Sequence, residues 1–219
     1  MGATDTAPDG RSSRWDEHRL ARRQELVEAT LRAIREHGAG VGMDEVAATA
    51  RTSKTVFYRH FTDRAGLYTA VAERVDATII RGLTRAAGDP TTDDARAVIR
   101  GVVAAYLRLV EDDPEVYRFI VNAPIVPPGE RPQGDVAAGM TDRIATHVAD
   151  LVAGGLADST TPAPRLWGVA LVGMVRATAD AWLAAGAAAG GPSSDQLADD
   201  LTVLLWDGLS SVAGATARA

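Results

Sequence analysis

The residues with the most chemistry in this chain lie together between Arg51 and Phe61, in the stretch RTSKTVFYRHF. Lys54 is the only lysine in 219 residues, so every other permanently charged basic side chain is an arginine. Around it stand Arg51, Ser53, Thr55, Tyr58, Arg59 and His60, with Arg64 just beyond. Ammonium and guanidinium groups neutralise phosphates, and Ser, Thr and Tyr hydroxyls donate to phosphate oxygens. A lysine so placed also reaches a guanine edge. The group suits contact with a polyanion better than bond-making chemistry.

Such chemistry needs a platform. KTVFYRH is shorter than two helical turns and would not hold its shape alone. Phe57 and Phe61, four apart, are placed to anchor it, which leaves Lys54, Thr55, Tyr58 and Arg59 facing outward. Ser53 is positioned as its N-cap. The helix N-terminus adds its own partial positive charge.

Upstream, Leu26, Thr30, Ala33, Ile34 and His37 recur at helical spacing in RRQELVEATLRAIREHG. Gly38 is placed to end that helix in a left-handed conformation. MDEVAATA reads as a short second helix with Met43, Val46 and Ala47 inward. Asp63 caps a long fourth helix that continues to about residue 87. Two short helices joined by ARTS, followed by a longer one, have the spacing of a helix-turn-helix.

The remainder also reads as helices. Asp93 to Val110 is amphipathic, and Asp113-Pro114 is a start signal for PEVYRFIVN. APIVPPGERPQG carries four prolines and is expected to be a loop. Asp135 to Leu156 is a further helix, and Pro162 or Pro164 opens the next. Ser193 and Gln196 form a capping box before the last. The expected fold is all-α, with about nine helices. Residues 1–13 are expected to be a disordered tail and 14–66 the helix-turn-helix domain. Residues 67–219 are expected to form a second helical domain.

Composition agrees with this. Apolar residues make up 46% but aromatics only 5%, a mix that favours packed helices over a sheet. The formal charge is −6, yet it is unevenly divided. Residues 11–66 hold 11 Lys+Arg against 8 Asp+Glu, whereas 67–219 hold 12 against 19. A mildly basic front and an acidic remainder suggest two tasks.

Other chemistries find no support in the residues. There is no cysteine, hence no thiolate metal site or cysteine nucleophile. GAGVG (Gly38 to Gly42) lacks the preceding strand and final glycine of a nucleotide loop. His18, His37, His60 and His147 show no metal-ligand spacing. Ser210 and Ser211 have no nucleophile-elbow context. No catalytic residue, metal or cofactor is expected. The first residues have no signal-peptide apolar run, and no stretch of about 18 apolar residues suggests a membrane span. The expected location is the cytoplasm.

The front segment resembles the DNA-binding domain of the tetracycline-repressor (TetR/AcrR) family. Gly38, the Val46-Ala47 pair, Ala50, Ser53, Tyr58, His60, Phe61 and Leu67 carry the resemblance. It implies a homodimeric regulator with a ligand-binding second domain. It also implies that Tyr58 and His60 contact the DNA backbone and that Arg64 replaces a usual lysine. Arg11, Arg14, Arg19, Arg22 and Arg23 would then form either an arm approaching the minor groove or a solubilising tail. Three positions depart from the pattern. Arg51 replaces the usual turn glycine, Thr55 replaces a small residue, and the loop after Gly38 is one residue short, with Gly42 as cap.

In the second domain, Arg176 and Asp180 are four apart among apolar neighbours. They read either as an intrahelical salt bridge or as a buried pair orienting a ligand. Tyr106, Tyr117, Phe119, Trp167, Met174 and Trp182 are the other candidate pocket residues. The last two helices have broad apolar faces that must be covered. Small residues at Gly168, Gly173 and Ala177 permit close helix approach. The resemblance implies a four-helix dimer interface there, with Leu166, Val169, Leu201, Leu205, Leu209 and Val212 as candidates.

The combined expectation is a DNA-binding transcriptional regulator, a repressor released by a small, largely apolar effector. As a homodimer it would hold a near-palindromic double-stranded operator. The alternative is an all-α ligand carrier or enzyme whose front domain no longer binds DNA.

Overall fold

The structure, a computed structural model, describes residues 10–88, 94–122, 136–155, 164–185 and 191–216. Among these residues there are nine helices and no strand. The front domain comprises α1 (Gly10–His37), α2 (Met43–Thr49), α3 (Lys54–Phe61) and the start of α4 (Arg64–Ala87). The second holds the rest of α4 with α5 (Ala95–Asp112), α6 (Pro114–Asn122), α7 (Val136–Gly155), α8 (Pro164–Ala184) and α9 (Ser194–Thr216). Residues 10–13, expected in the polar tail, belong to α1; residues 1–9 lie outside the described set. The proline-rich segment 123–134 also lies outside it.

Local signals set the helix limits. Gly38 has φ +87°, the left-handed conformation that a side chain disfavours. Asp63 accepts from the Gly66 N–H at 2.7 Å, capping α4. The Ser193–Gln196 box closes in both directions. The Ser193 N–H donates to the Gln196 side chain at 3.0 Å, and the Gln196 N–H donates to the Ser193 hydroxyl at 3.2 Å. Ser53 is the N-cap of α3 in extended conformation, but its hydroxyl makes no capping hydrogen bond, contrary to the expected role.

The front core joins Leu26, Ile34, Val46, Phe57, Phe61, Leu67 and Val71, all buried. The Phe57 and Phe61 rings stack 6.1 Å apart. A side chain at position 66 would place its Cβ 2.0 Å from the Phe61 carbonyl oxygen, so only glycine lets α4 start this close to α3. Thr30 is buried and bonds back to the Leu26 carbonyl, whereas His37, expected inward, is at the surface.

In the second domain α8 packs on α7 and α9 on α5. A Cβ at Gly168 would clash with the Ala145 carbonyl at 2.3 Å, so this glycine permits the α7–α8 approach, while Gly173 faces open space. By length and composition alone, Arg165–Ala184 is apolar enough to cross a membrane. Its Arg176 and Asp180 are instead bonded to neighbouring helices.

Polar contacts link the two domains. The Arg35 guanidinium donates twice to Asp113, from Nε at 2.8 Å and from Nη2 at 2.6 Å. Glu115 accepts from the Ala39 N–H at 2.7 Å, and Tyr68 donates to the Ile120 carbonyl at 2.6 Å. Thus α6 is held to the end of α1 and to α4.

Candidate nucleic-acid interface and ligand cavity

With Phe57 and Phe61 buried, α3 turns Lys54, Thr55, Tyr58 and Arg59 to solvent, as their spacing requires. The 8 residues of α3 are flanked by two non-glycine residues with positive φ, Arg51 at 51° and Thr62 at 68°. The turn strain anticipated at Arg51 is therefore present.

Lys54 does not stand alone on that face. Its ammonium lies 2.7 Å from the Asp44 carboxylate in the first turn of α2, and this hydrogen bond raises its pKa. Tyr58 lies 3.5 Å from the Arg64 Nε, at the long limit of a hydrogen bond. His60 is half-buried. Desolvation lowers its pKa first, and the charges of Arg59, Arg22, Arg19 and Arg23 lower it further. The field of these guanidinium groups therefore reaches the C-terminal end of α3.

Arg23, expected in the arm, is bonded within the head. Its Nη1 donates to the His60 carbonyl at 2.7 Å. Its guanidinium lies 4.5 Å above the Phe61 ring centroid. It satisfies a carbonyl at the end of α3 and fixes that helix to α1. Arg22 pairs with Glu25 and Arg19 with Asp16, all on α1, which is continuous from Gly10. The side chains of Arg11 and Arg14 lie outside the described residues.

In the second domain, a cavity of about 60 Å³ lies between α4, α5, α7, α8 and α9. Its walls include Leu83, Val98, Ile99, Val103, Ile144, Val148, Leu171 and Val175, and every lining residue except Tyr106 is aliphatic. These aliphatics read in the sequence as ordinary core, because helical spacing gives no sign of which inward positions leave a gap.

Of the candidate pocket residues, Tyr106, Tyr117 and Arg176 do line cavities. Tyr117 donates to Asp180 at 2.5 Å and Arg176 donates to Thr141 at 2.9 Å. The Arg176–Asp180 pair is thus resolved into two bonds to other helices, and no ion pair joins the two among the described residues. Burial raises the pKa of both tyrosines, so both hydroxyls stay protonated. Phe119 is not a wall residue: it is fully buried with its ring 5.9 Å from that of Tyr68. Trp182 is buried and donates to the Pro192 carbonyl, fixing the approach to α9. Trp167 is half-buried away from the cavities, and Met174 is exposed.

The candidate dimer residues divide. Leu166 and Val169 are exposed, Leu166 by 68%. Leu201 and Leu205 are only 5% exposed because they pack inside their own domain. On α9 the exposed pair is Val203 and Leu204, so the outward face is rotated from the expected one. Leu209 and Val212 have side chains outside the described set.

A helix-turn-helix head on an all-helical second domain with its own cavity is the build of a bacterial one-component transcriptional regulator. The chain belongs to the tetR family of bacterial regulatory proteins. That family's DNA-binding model matches residues 26–71, and the tetracyclin repressor-like C-terminal domain model matches 82–218. An uncharacterized HTH-type transcriptional regulator of Mycobacterium tuberculosis is 33% identical over 211 residues, covering 93% of this chain and 84% of the relative. The HTH-type transcriptional activator FasR of Mycolicibacterium smegmatis is 32% identical, covering 67% of this chain and 72% of its own. A TetR-like regulator from Rhodococcus sp. RHA1 superposes with a TM-score of 0.60 at 25% identity, covering 85% of this chain and 94% of its own.

Proposed function

We propose that this regulator is a repressor that binds a near-palindromic operator as a homodimer and leaves it when a small, largely apolar effector enters the second domain. The observation that carries the reading is the α3 surface. Its two phenylalanines are buried, Lys54, Thr55, Tyr58 and Arg59 are exposed, and Arg23 is bonded at its far end. Two such helices in a dimer would enter successive major grooves, about 34–36 Å apart.

The aliphatic cavity supports an apolar effector, and the bonds from α6 to α1 supply a physical route to the DNA head. Only an effector with different affinity for the two arrangements can shift them. Exposed Leu166, Val169 and Leu204 offer an apolar surface for the second copy. A DNA-bound protein of this kind works in the cytoplasm.

A salt series of fluorescence anisotropy on the chain's own upstream DNA tests the reading. Affinity should fall steeply with salt. Tyr58→Phe should weaken binding with an unchanged melting temperature, and Lys54→Ala should do the same. Unchanged affinity in both variants defeats α3 as the reader. The activator FasR supports a second sign of regulation, activation. A reporter with the operator placed upstream of or across the promoter separates the two.

A further inference from the structure

Three chambers in the second domain share one side chain. Tyr106 lies in the wall of the aliphatic cavity of about 60 Å³ and of a second of about 50 Å³ that contains Arg176 and Thr141. It also lines a third of about 180 Å³ that reaches Arg35 and Asp113 at the junction with the head. Ile144 and Val172 separate the first from the second. Val75, Ile79 and Tyr117 separate the second from the third. Taken together they approach the lower end of the roughly 300–1,000 Å³ usual for small-molecule sites. A shift of the Tyr106 ring would merge them.

The two ends of the merged space differ in chemistry. One end is wholly aliphatic. At the other, Arg176 lines the wall and donates to Thr141, and the Tyr117 hydroxyl beside it donates to Asp180 Oδ1, which sets a negative charge one bond behind the wall. A carboxylate ligand would gain Arg176 but meet the like charge of Asp180, and an ammonium would suffer the reverse. A hydroxyl has both functions: its oxygen accepts from the guanidinium and its proton goes to the Tyr117 oxygen, whose own proton is given to Asp180.

We infer that the effector is an uncharged aliphatic molecule with a hydroxyl at one end, its chain in the aliphatic cavity and its hydroxyl between Arg176 and Tyr117. This rests on the reading of the second domain as an effector site. The polar end adjoins Tyr117 on α6, the same helix that holds α1 through Glu115, with Asp113 immediately before it. Occupation there bears directly on the head.

Calorimetric titration of the full-length protein with 1-octanol, octanoate and octylamine tests the class. The alcohol should bind about tenfold or more tightly than either ion. Equal or tighter binding of an ion, or no binding of any of the three, overturns the inference. Arg176→Met should weaken octanol binding by about 10- to 100-fold, the range for a hydrogen bond to a charged group. Should that variant melt early, Asp180→Asn gives an independent readout. Removing the negative charge should shift the octanol-to-octanoate preference by about tenfold toward octanoate, and an unchanged ratio overturns the inference. Operator anisotropy on the same samples keeps the two claims apart. Alcohol binding without operator release defeats the repressor reading alone, whereas operator release by octanoate in preference to octanol defeats the ligand class alone.

Discussion

The ammonium of Lys54, the chain's only lysine, is held 2.7 Å from the carboxylate of Asp44 on the preceding helix. The side chain best placed to meet a phosphate is therefore already committed, and DNA must compete with Asp44 for it. Asp44→Asn should tighten binding to any duplex several-fold and steepen its salt dependence by about one phosphate contact. Discrimination between operator and random DNA should narrow, because the gain is indifferent to sequence. Anisotropy titrations on both duplexes, across a salt series, would measure this.

His60 gives the interface a pH dependence. In the free protein, burial and then four arginines hold its pKa below the usual 6.5, so it is neutral near pH 7. A phosphate brought to the same place favours the charged form. Operator affinity should then rise as pH falls through the interval between the bound and free pKa values. Folding stability runs the other way. A depressed native pKa means that His60's contribution is complete above the unfolded value and is lost as pH falls through the folded one. His60→Gln should flatten both profiles, as read by anisotropy and by thermal melts from pH 5 to 8.

The turns on either side of α3 store strain. Thr62, which is β-branched, has φ 68°, and Arg51 has φ 51°. Side chains disfavour both conformations. Replacement by glycine removes the steric cost but loosens the unfolded chain, for a net gain of about 1 kcal/mol. Thr62→Gly should raise the melting temperature by a few degrees with operator affinity intact. Arg51→Gly should give a similar rise and weaker DNA binding.

The exposed apolar row on α8 and α9 should be the contact between copies. Leu166→Glu together with Leu204→Glu places charge on residues 68% and 60% exposed in one chain, so the fold of the protomer should survive. Sedimentation should show monomers, and operator affinity should collapse with the loss of the paired heads. Leu201 fills the protomer's own core. Leu201→Ala should therefore lower stability instead, by about 2–5 kcal/mol.

Coupling between effector and operator should pass through the start of α6. Glu115→Ala frees the Ala39 N–H, and Asp113→Asn weakens the pairing to Arg35. Each should reduce the effector-induced change in operator affinity while leaving effector affinity within a few-fold, as measured by paired anisotropy and calorimetry.

What the sequence determined by itself was most of what depends on neighbours within one helical turn, the Ser53 hydroxyl cap excepted. The Asp63 cap, the Ser193–Gln196 box, the turn at Gly38 and the inward pair Phe57 and Phe61 are all of this kind, and all are present. Tertiary structure decided the pairings across helices: Lys54 with Asp44, Arg23 with the His60 carbonyl, Tyr117 with Asp180. It also decided which apolar residues of α9 face outward, Val203 and Leu204 in place of Leu201 and Leu205. The reason is geometric. Successive residues are rotated by about 100° around a helix, so a periodic pattern fixes a face only to within a position or two. Which face meets which helix is set by crossing angle and packing, and neither of those is written in local spacing.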